Sequence, residues 1–159
     1  MDELLRALKE NARASSADLA KMLDVSEADI RAKIAEYEQN GTIRGYQAIV
    51  NDDRLDIDRV QAVIEVKITP EREGGFNRIS SRIGKFPEVE SLFLMSGSYD
   101  LLVFLNGKSL RDIASFVSEK LATIDGVIST STHFMLKTYK VNGVAMDKDA
   151  QDERLKVSP

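Results

Sequence analysis

The hydrophobic period of this chain changes near residue 58, and that change limits what it can fold into. Up to residue 50 the apolar residues recur at helical spacing. Leu4, Leu5 and Leu8 share one face, Leu19, Ala20 and Leu23 another, and Ile30, Ile34 and Tyr37 stand at i, i+4 and i+7. Two of these stretches open with a capping box, Ser15 with Asp18 and Ser26 with Asp29. Asp24 and Val25 break the second stretch and Gly41 stops the third. The pattern predicts three helices in residues 1–50, the last two joined by three or four residues as a helix-turn-helix. After Gly41, "TIRGYQAIVN" has β character and predicts a short wing or connecting strand.

Residues 51–58, "NDDRLDID", read as a polar linker. From residue 59 the period becomes two. Ala62, Ile64, Val66 and Ile68 share one face of a strand, while Gln61, Glu65 and Lys67 share the other. Residues 71–86 read as a helix with the stripe Phe76, Ile79, Ile83 and Phe86, closed by Pro87. "EVESLFLMS" and "DLLVFLN" are two strands joined through "GSY". Ser109 and Asp112 cap a second helix with the stripe Leu110, Ile113, Phe116, Val117 and Leu121. Asp125-Gly126 ends it, and "VISTSTHFMLKTYKV" predicts a long last strand. The order β-α-β-β-α-β over residues 59–141 is the ferredoxin-like split βαβ arrangement, so the fold class is α+β. Residues 142–159 read as a polar, partly disordered tail.

Composition narrows function. The 159 residues include no Cys, no Trp and one His, which excludes disulfides and thiolate metal sites and argues against a zinc site. No stretch approaches the ~20 apolar residues of a membrane span, and the acidic, amphipathic start is not a signal peptide. These features predict a cytoplasmic protein with no cofactor and no metal. Residues 1–50 hold seven Lys and Arg against nine Asp and Glu, so the helical unit is not basic overall.

Three stretches carry a family resemblance. The first runs from Ser26 to Tyr46 and includes Ile30, Lys33-Ile34, Glu38 and "GTIRGY". The second is "PEVESLFLMSGSYDLLV", with its Gly-x-x-Asp, and the third is "LATIDGVISTSTHFML". In this order and spacing they resemble the Lrp/AsnC (feast/famine) family of prokaryotic transcriptional regulators. The resemblance covers most of residues 1–140. It implies a dimeric or larger regulator that binds double-stranded DNA and whose C-terminal domain oligomerises and senses a small effector, commonly an amino acid.

On the third helix, with Ile30, Ile34 and Tyr37 inward, the opposite face carries Ala28, Ala32, Ala35 and Gln39. Arg31 and Gln39 are the side chains suited to base edges, and Ser26, Lys33 and Arg44 suit phosphates. The alanines fit close approach to DNA, and equally a solvent face filled with good helix formers. In the second half, Gly97, Ser98, Tyr99 and Asp100 form the turn that the resemblance places at an effector site between subunits. There the glycine admits a ligand to the backbone and the carboxylate accepts from an ammonium group. Thr130 and Thr132 match the family's Thr pair. The simpler reading has Gly97 and Ser98 as a tight turn, Asp100 accepting turn N–H groups, and both threonines as ordinary strand residues.

His133 stands without companions for metal binding or triad chemistry, and the aspartates of the linker lack EF-hand spacing. An enzyme reading through the similar sirohaem decarboxylases meets no Trp and one His, so the chain reads as a non-enzyme. The alternative to a sequence-specific regulator is an effector-sensing oligomerisation module with weak or lost specific DNA binding, favoured by the alanine face and the negative charge.

Overall fold

Asp2, Ser15 and Ser26 each start a helix. In the structure, a computed structural model that describes residues 2–70 and 76–146, these are α1 (Glu3–Glu10), α2 (Ser16–Leu23) and α3 (Glu27–Gln39). Asp2 Oδ1 accepts from Leu4 N at 2.8 Å. Ser15 Oγ accepts from Asp18 N at 3.1 Å and donates to the Asp18 carboxylate at 2.6 Å; Ser26 and Asp29 repeat both bonds. The expected capping boxes are therefore formed. Asp24 ends α2 in the left-handed region, φ 53°. Leu4, Leu8, Leu19, Ala20, Ile30 and Tyr37 are buried together, with Leu5, Leu23, Ile34 and Ile43 at the margin. Each large apolar side chain gains about 1.5–3 kcal/mol on burial, against about 1 kcal/mol for a cap. The stripes therefore hold the helices together and the caps fix their ends.

The expected wing is not expressed: residues 43–50 form no strand. A strand needs a ladder partner, and here the segment is tied instead to α3. Ile43 N donates to Tyr37 O, and Tyr46 Oη donates to Glu38.

The chain divides into two compact units, Met1–Val50 and Asn51–Pro159. The second opens with a 3₁₀ turn, Asp52–Arg54. Part of this acidic stretch is anchored within its unit: Asp52 pairs with Arg59 at 2.7 Å, and Asn51 Nδ2 donates to Met146 O. Next come β1 (Val60–Ile68), α4 (Asn77–Ile83), β2 (Val89–Leu94), β3 (Leu101–Gly107), α5 (Leu110–Ser115) and β4 (Val127–Phe134). The strands pair antiparallel in the order β2-β3-β1-β4, the ferredoxin-like split arrangement. Residues 71–75 of the expected first helix lie outside the described residues.

One face of the sheet is covered. Ala62, Ile64, Val66 and Ile68 of β1, with Leu101, Val103 and Leu105 of β3, pack against Ile79, Ile83, Ile113, Phe116 and Leu121. α5 runs on as six residues of π-helix, Phe116–Leu121, with Ala122 N donating to Val117 O. Bonding at i→i+5 brings both Phe116 and Leu121 into the core. Leu110, expected in that stripe, is instead exposed at the helix start.

Among the described residues of this unit, no helix covers the opposite face. Val63, Leu102 and Phe104 are half-buried there and Phe93 is 50% exposed, its ring edge-on to Phe104 at 5.9 Å. By the strand register, Glu65, Lys67, Ser129, Ser131 and His133 share this face.

Two features depart from the expected last strand and tail. β4 stops at Phe134 because its partner runs out: β1 begins at Val60, and Met135 N makes the last bond, to Gln61 O. Residues 140–145 then form a small hairpin, β5 (Lys140–Val141) and β6 (Val144–Ala145). Asn142 (φ 46°) and Gly143 (φ 88°) make its two-residue turn, and Met146 is buried beyond it. Residues 147–159 of the expected tail lie outside the described residues.

Candidate nucleic-acid interface and effector turn

α3 is held from one side and open on the other. Ile30 and Tyr37 are buried, and the Tyr37 hydroxyl donates to Asp2 Oδ2 at 2.6 Å. That bond, with the one from Leu4 N, keeps the Asp2 carboxyl below its ordinary pKa and raises the Tyr37 phenol above its own. Ala28, Ala32, Ala35 and Gln39 are exposed on the far side.

The cations at this face are not free. Arg31 donates to Glu27 one turn earlier, and Lys33 Nζ lies 2.8 Å from Glu36 Oε2 and 5.1 Å from the Tyr37 ring centre. The bond to Glu36 raises the Lys33 ammonium above its ordinary value. Two residues apart on a helix means about 200° apart around it. Arg31 therefore borders the alanine face, while Lys33 stands further round α3 beside the buried Tyr37, beyond Glu36, and the two do not form one cluster. Arg44 lies against Gly41, just past the end of α3, with no carboxylate partner among the described residues. The Ser26 hydroxyl is engaged in its capping box. Asp29 and Glu36 border this face as their helical positions predict; Glu27 is the member the sequence reading lacks, although Glu27–Arg31 at i, i+4, like Lys33–Glu36 at i, i+3, is a spacing that signals an ion pair.

In the second unit Asp100 is built into the sheet. The β1–β3 ladder ends at Val66–Leu101. Beyond it Asp100 Oδ2 accepts from Ile68 N at 2.8 Å, Asp100 N donates to Val66 O, and Asp100 O accepts from Met95 N. The carboxylate thus caps the end of β1, where the simpler reading had it accepting from its own turn. Its Oδ1 carries no bond among the described residues. Gly97 has φ 138°, and a Cβ placed there would meet nothing within 4 Å, so the turn is open around it. Ser98 is exposed and Tyr99 half-buried.

Thr130 and Thr132 stand opposite Val66 and Ile64 on the edge strand β4, half-buried at the rim of the helix-covered face. Val66 lies between Asp100 and Thr130, so these two are two strand spacings apart, about 10 Å. The structure therefore brings Gly97, Ser98, Tyr99 and Asp100 together and leaves the threonines across β1.

His133 shows why a Ser-His-Glu trio is not a triad. Ser131 Oγ at 3.3 Å and Glu65 Oε1 at 3.5 Å both approach the same nitrogen, Nε2. A relay needs one partner on each ring nitrogen. Among the described residues no three His, Asp or Glu side chains gather as a metal site requires, and no helix is long and apolar enough to cross a membrane.

A helix-turn-helix with an exposed third helix, followed by a split βαβ sheet, defines a class: a DNA-binding transcriptional regulator with an attached ligand-binding domain. Residues 3–38 match the AsnC-type helix-turn-helix domain and residues 61–145 the Lrp/AsnC ligand binding domain. The chain belongs to the Lrp/AsnC family. It is 43% identical over 158 residues to an uncharacterised HTH-type transcriptional regulator of Bacillus subtilis, YugG, covering 99% of this chain and 95% of that protein. It is 27% identical to the proline dehydrogenase transcriptional activator of Rhizobium radiobacter, over 89% of this chain and 90% of that one. Among solved structures, E. coli AsnC superposes with a TM-score of 0.67 at 26% identity, over 89% of this chain and 95% of that chain. A Neisseria meningitidis transcriptional regulator in complex with L-Met gives 0.68 at 25% identity, over 87% and 88%.

Proposed function

We propose that this regulator reads double-stranded DNA with α3 and responds to a small amino acid at the turn of Gly97, Ser98, Tyr99 and Asp100. The observation that carries the DNA reading is the exposed face of Ala28, Ala32, Ala35 and Gln39 bordered by Arg31, with Lys33 further round the helix. Alanines let a helix sit deep in a major groove, Gln39 and Arg31 suit base edges, and Lys33, Arg44 and Ser26 suit phosphates. The effector reading is supported by Asp100 Oδ1, unbonded among the described residues and beside open backbone, which fits an ammonium group, and by the L-Met bound to the Neisseria relative. Thr130 and Thr132, lying across β1 from this turn, add hydroxyls from the rim. The uncovered sheet face supports a homodimer or higher homo-oligomer. The protein works in the cytoplasm, without cofactor or catalysis.

One observation favours the alternative of an effector-sensing module with weak specific DNA binding: Arg31 and Lys33 are both neutralised by carboxylates. A single experiment separates the two. Binding to genomic fragments is measured across a salt series, with and without an amino-acid panel, for wild type and for Arg31→Ala, Lys33→Ala, Arg44→Ala and Asp100→Asn. A regulator enriches a few fragments. Arg31→Ala weakens one operator position by about 1–3 kcal/mol, while Lys33→Ala and Arg44→Ala weaken all fragments alike and flatten the salt slope. Asp100→Asn keeps DNA binding and loses the amino-acid response. Enrichment of nothing favours the module; unchanged binding in all three cation variants removes α3 as the DNA face.

A further inference from the structure

We propose that Asn51 and Arg59 are positioning residues: they clamp the start of the linker to the second unit, and the clamp sets which half-site spacing the DNA heads of an assembly accept. The inference rests on α3 as the DNA-reading helix and on a homo-oligomer, and adds what limits the reach of each head.

Three strands converge on one linker side chain. Arg59 stands just ahead of β1, where its Nη1 donates to Asp52 Oδ2 at 2.7 Å and its Nε donates to Asn106 Oδ1 of β3 at 3.1 Å. Asn106 Nδ2 in turn donates to Glu90 Oε2 at 2.9 Å, and Glu90 Oε1 lies 3.6 Å from Arg59 Nη2. The β2–β3 register shifts between Val89 and Ser91, so Glu90 is the extra residue of a bulge. A bulge re-aims a side chain, and this one delivers a carboxylate to Arg59 and Asn106. Asp52 is therefore held by a guanidinium that the sheet already fixes through its other nitrogens, with the two side chains 30% and 35% exposed. Two long side chains meeting in open solvent lose far more freedom on pairing.

Asn51 supplies the second anchor. Its Nδ2 donates to Met146 O at 2.8 Å, while its Oδ1 accepts from Asp53 N and shapes the 3₁₀ turn. The two anchors sit on adjacent residues, so each keeps the other's partner close.

Chain length gives the anchors their effect. The first unit ends at Val50, and among the described residues the last hydrogen bond back to α3 runs from Tyr46 to Glu38. With the clamp closed, four residues, 47–50, separate that tie from the anchored Asn51. With it open, the tether runs through residues 47–58, twelve in all. The effective concentration of a second head falls with about the −3/2 power of tether length, so a threefold longer tether lowers it about fivefold. A longer tether also reaches half-sites turned to the far side of the duplex, which a short one does not.

The test compares full-length wild type, Arg59→Gln and Asn51→Ala/Arg59→Gln on three duplexes cut from the best-enriched genomic fragment. The first carries two half-sites at their own spacing, the second has about five base pairs inserted between them, half a helical turn, and the third carries one half-site. Sedimentation mass and the rate of tryptic cutting after Arg54, in the 3₁₀ turn, are measured beside them. The double variant should keep the wild-type mass and its single half-site affinity, and be cut faster after Arg54. It should bind the natural spacing about fivefold more weakly and discriminate less against the inserted duplex, with Arg59→Gln in between. If single half-site binding falls in parallel, the two residues support the fold and do not position the heads. If the double variant is cut faster yet separates the two spacings as wild type does, or is cut no faster, the clamp role is wrong and the DNA face stands. If wild type enriches no fragment or sediments as one chain, the underlying reading fails and the clamp role falls with it.

Discussion

One carboxylate ties the second residue of the chain to its third helix. Asp2 caps α1 with one oxygen and takes the Tyr37 hydroxyl with the other, so the rotation of α3 is set partly from a residue 35 positions away. The linkage has a definite sign. The Asp2 carboxyl is lowered, first by Tyr37, so its contribution to stability is present above the ordinary carboxylate range and is lost as pH falls through the lowered value. The Tyr37 phenol is raised, first by Asp2, so its contribution is present below the ordinary phenol range and is lost as pH rises through the raised value. Tyr37→Phe should therefore return the Asp2 carboxyl toward its ordinary value, read from its carboxyl carbon shift in an NMR titration. It should also reduce the acid sensitivity of the helical unit. An Asp2 titration unchanged by Tyr37→Phe would show that the hydroxyl is not the group that holds it. None of this is visible in the sequence, because a contact over that separation depends on where three helices come to rest.

Among the described glycines, the one with least room for a side chain lies just ahead of β4. Gly126 has φ 93°, and a Cβ there would sit 2.7 Å from Ile79 Cδ1 of α4, too close for any real carbon. Its carbonyl also accepts from Thr69 N just past β1. Gly126→Ala should cost about 1–2 kcal/mol for the left-handed backbone and about 1–3 kcal/mol for the overpacking. Urea unfolding of Gly126→Ala, Ile79→Val and the double variant separates the two costs. Removing Cδ1 should relieve the steric part alone, and strictly additive losses would show that Gly126 and Ile79 do not compete for space. The elements that local chemistry determines were legible beforehand. Serine caps at Ser15 and Ser26, the period-two face of β1 and the Asp125-Gly126 stop all depend on near neighbours. What was not legible depends on distant ones. Residues 43–50 have strand-forming side chains and no strand, for want of a ladder partner. β4 is shorter than its β-branched sequence because β1 ends first. Leu110 leaves the predicted stripe because the core begins at Ile113, and the π-helical turn then fits Phe116 and Leu121 at a spacing that α-helical periodicity does not contain. The hairpin at Asn142-Gly143 did have a local signal, since that dipeptide favours the turn it makes. The polarity around it masked the signal.

At the scale of the whole molecule, the sheet is finished on one side only. Val63, Leu102, Phe104 and Phe93 form an apolar centre on a face that no described helix of the same unit covers, and an antiparallel sheet facing water normally turns polar residues outward. Around that centre lie Glu65, Lys67 and His133, a mixed-charge rim. An apolar core inside a polar rim is the anatomy of an interface, and a second copy of the same face supplies matching chemistry when two sheets pack about 10 Å apart. Assembly also bears on function, because two linked DNA heads bind at a high effective concentration, which compensates for an N-terminal unit with more acids than bases. The same logic lets an effector act at a distance: an amino acid that binds one assembly better than another shifts the population toward it. The expected outcome in sedimentation equilibrium at micromolar concentration is a mass at least twice the 17.7 kDa of one chain. Phe104→Glu should lower that mass toward one chain while leaving the helix-covered core folded, since the ring points away from it. It should also weaken DNA binding by much more than one head's share, because the second head is lost with the partner. A wild-type mass of 17.7 kDa would exclude self-association under these conditions, and an unchanged assembly in Phe104→Glu would move the interface to another surface of the second unit.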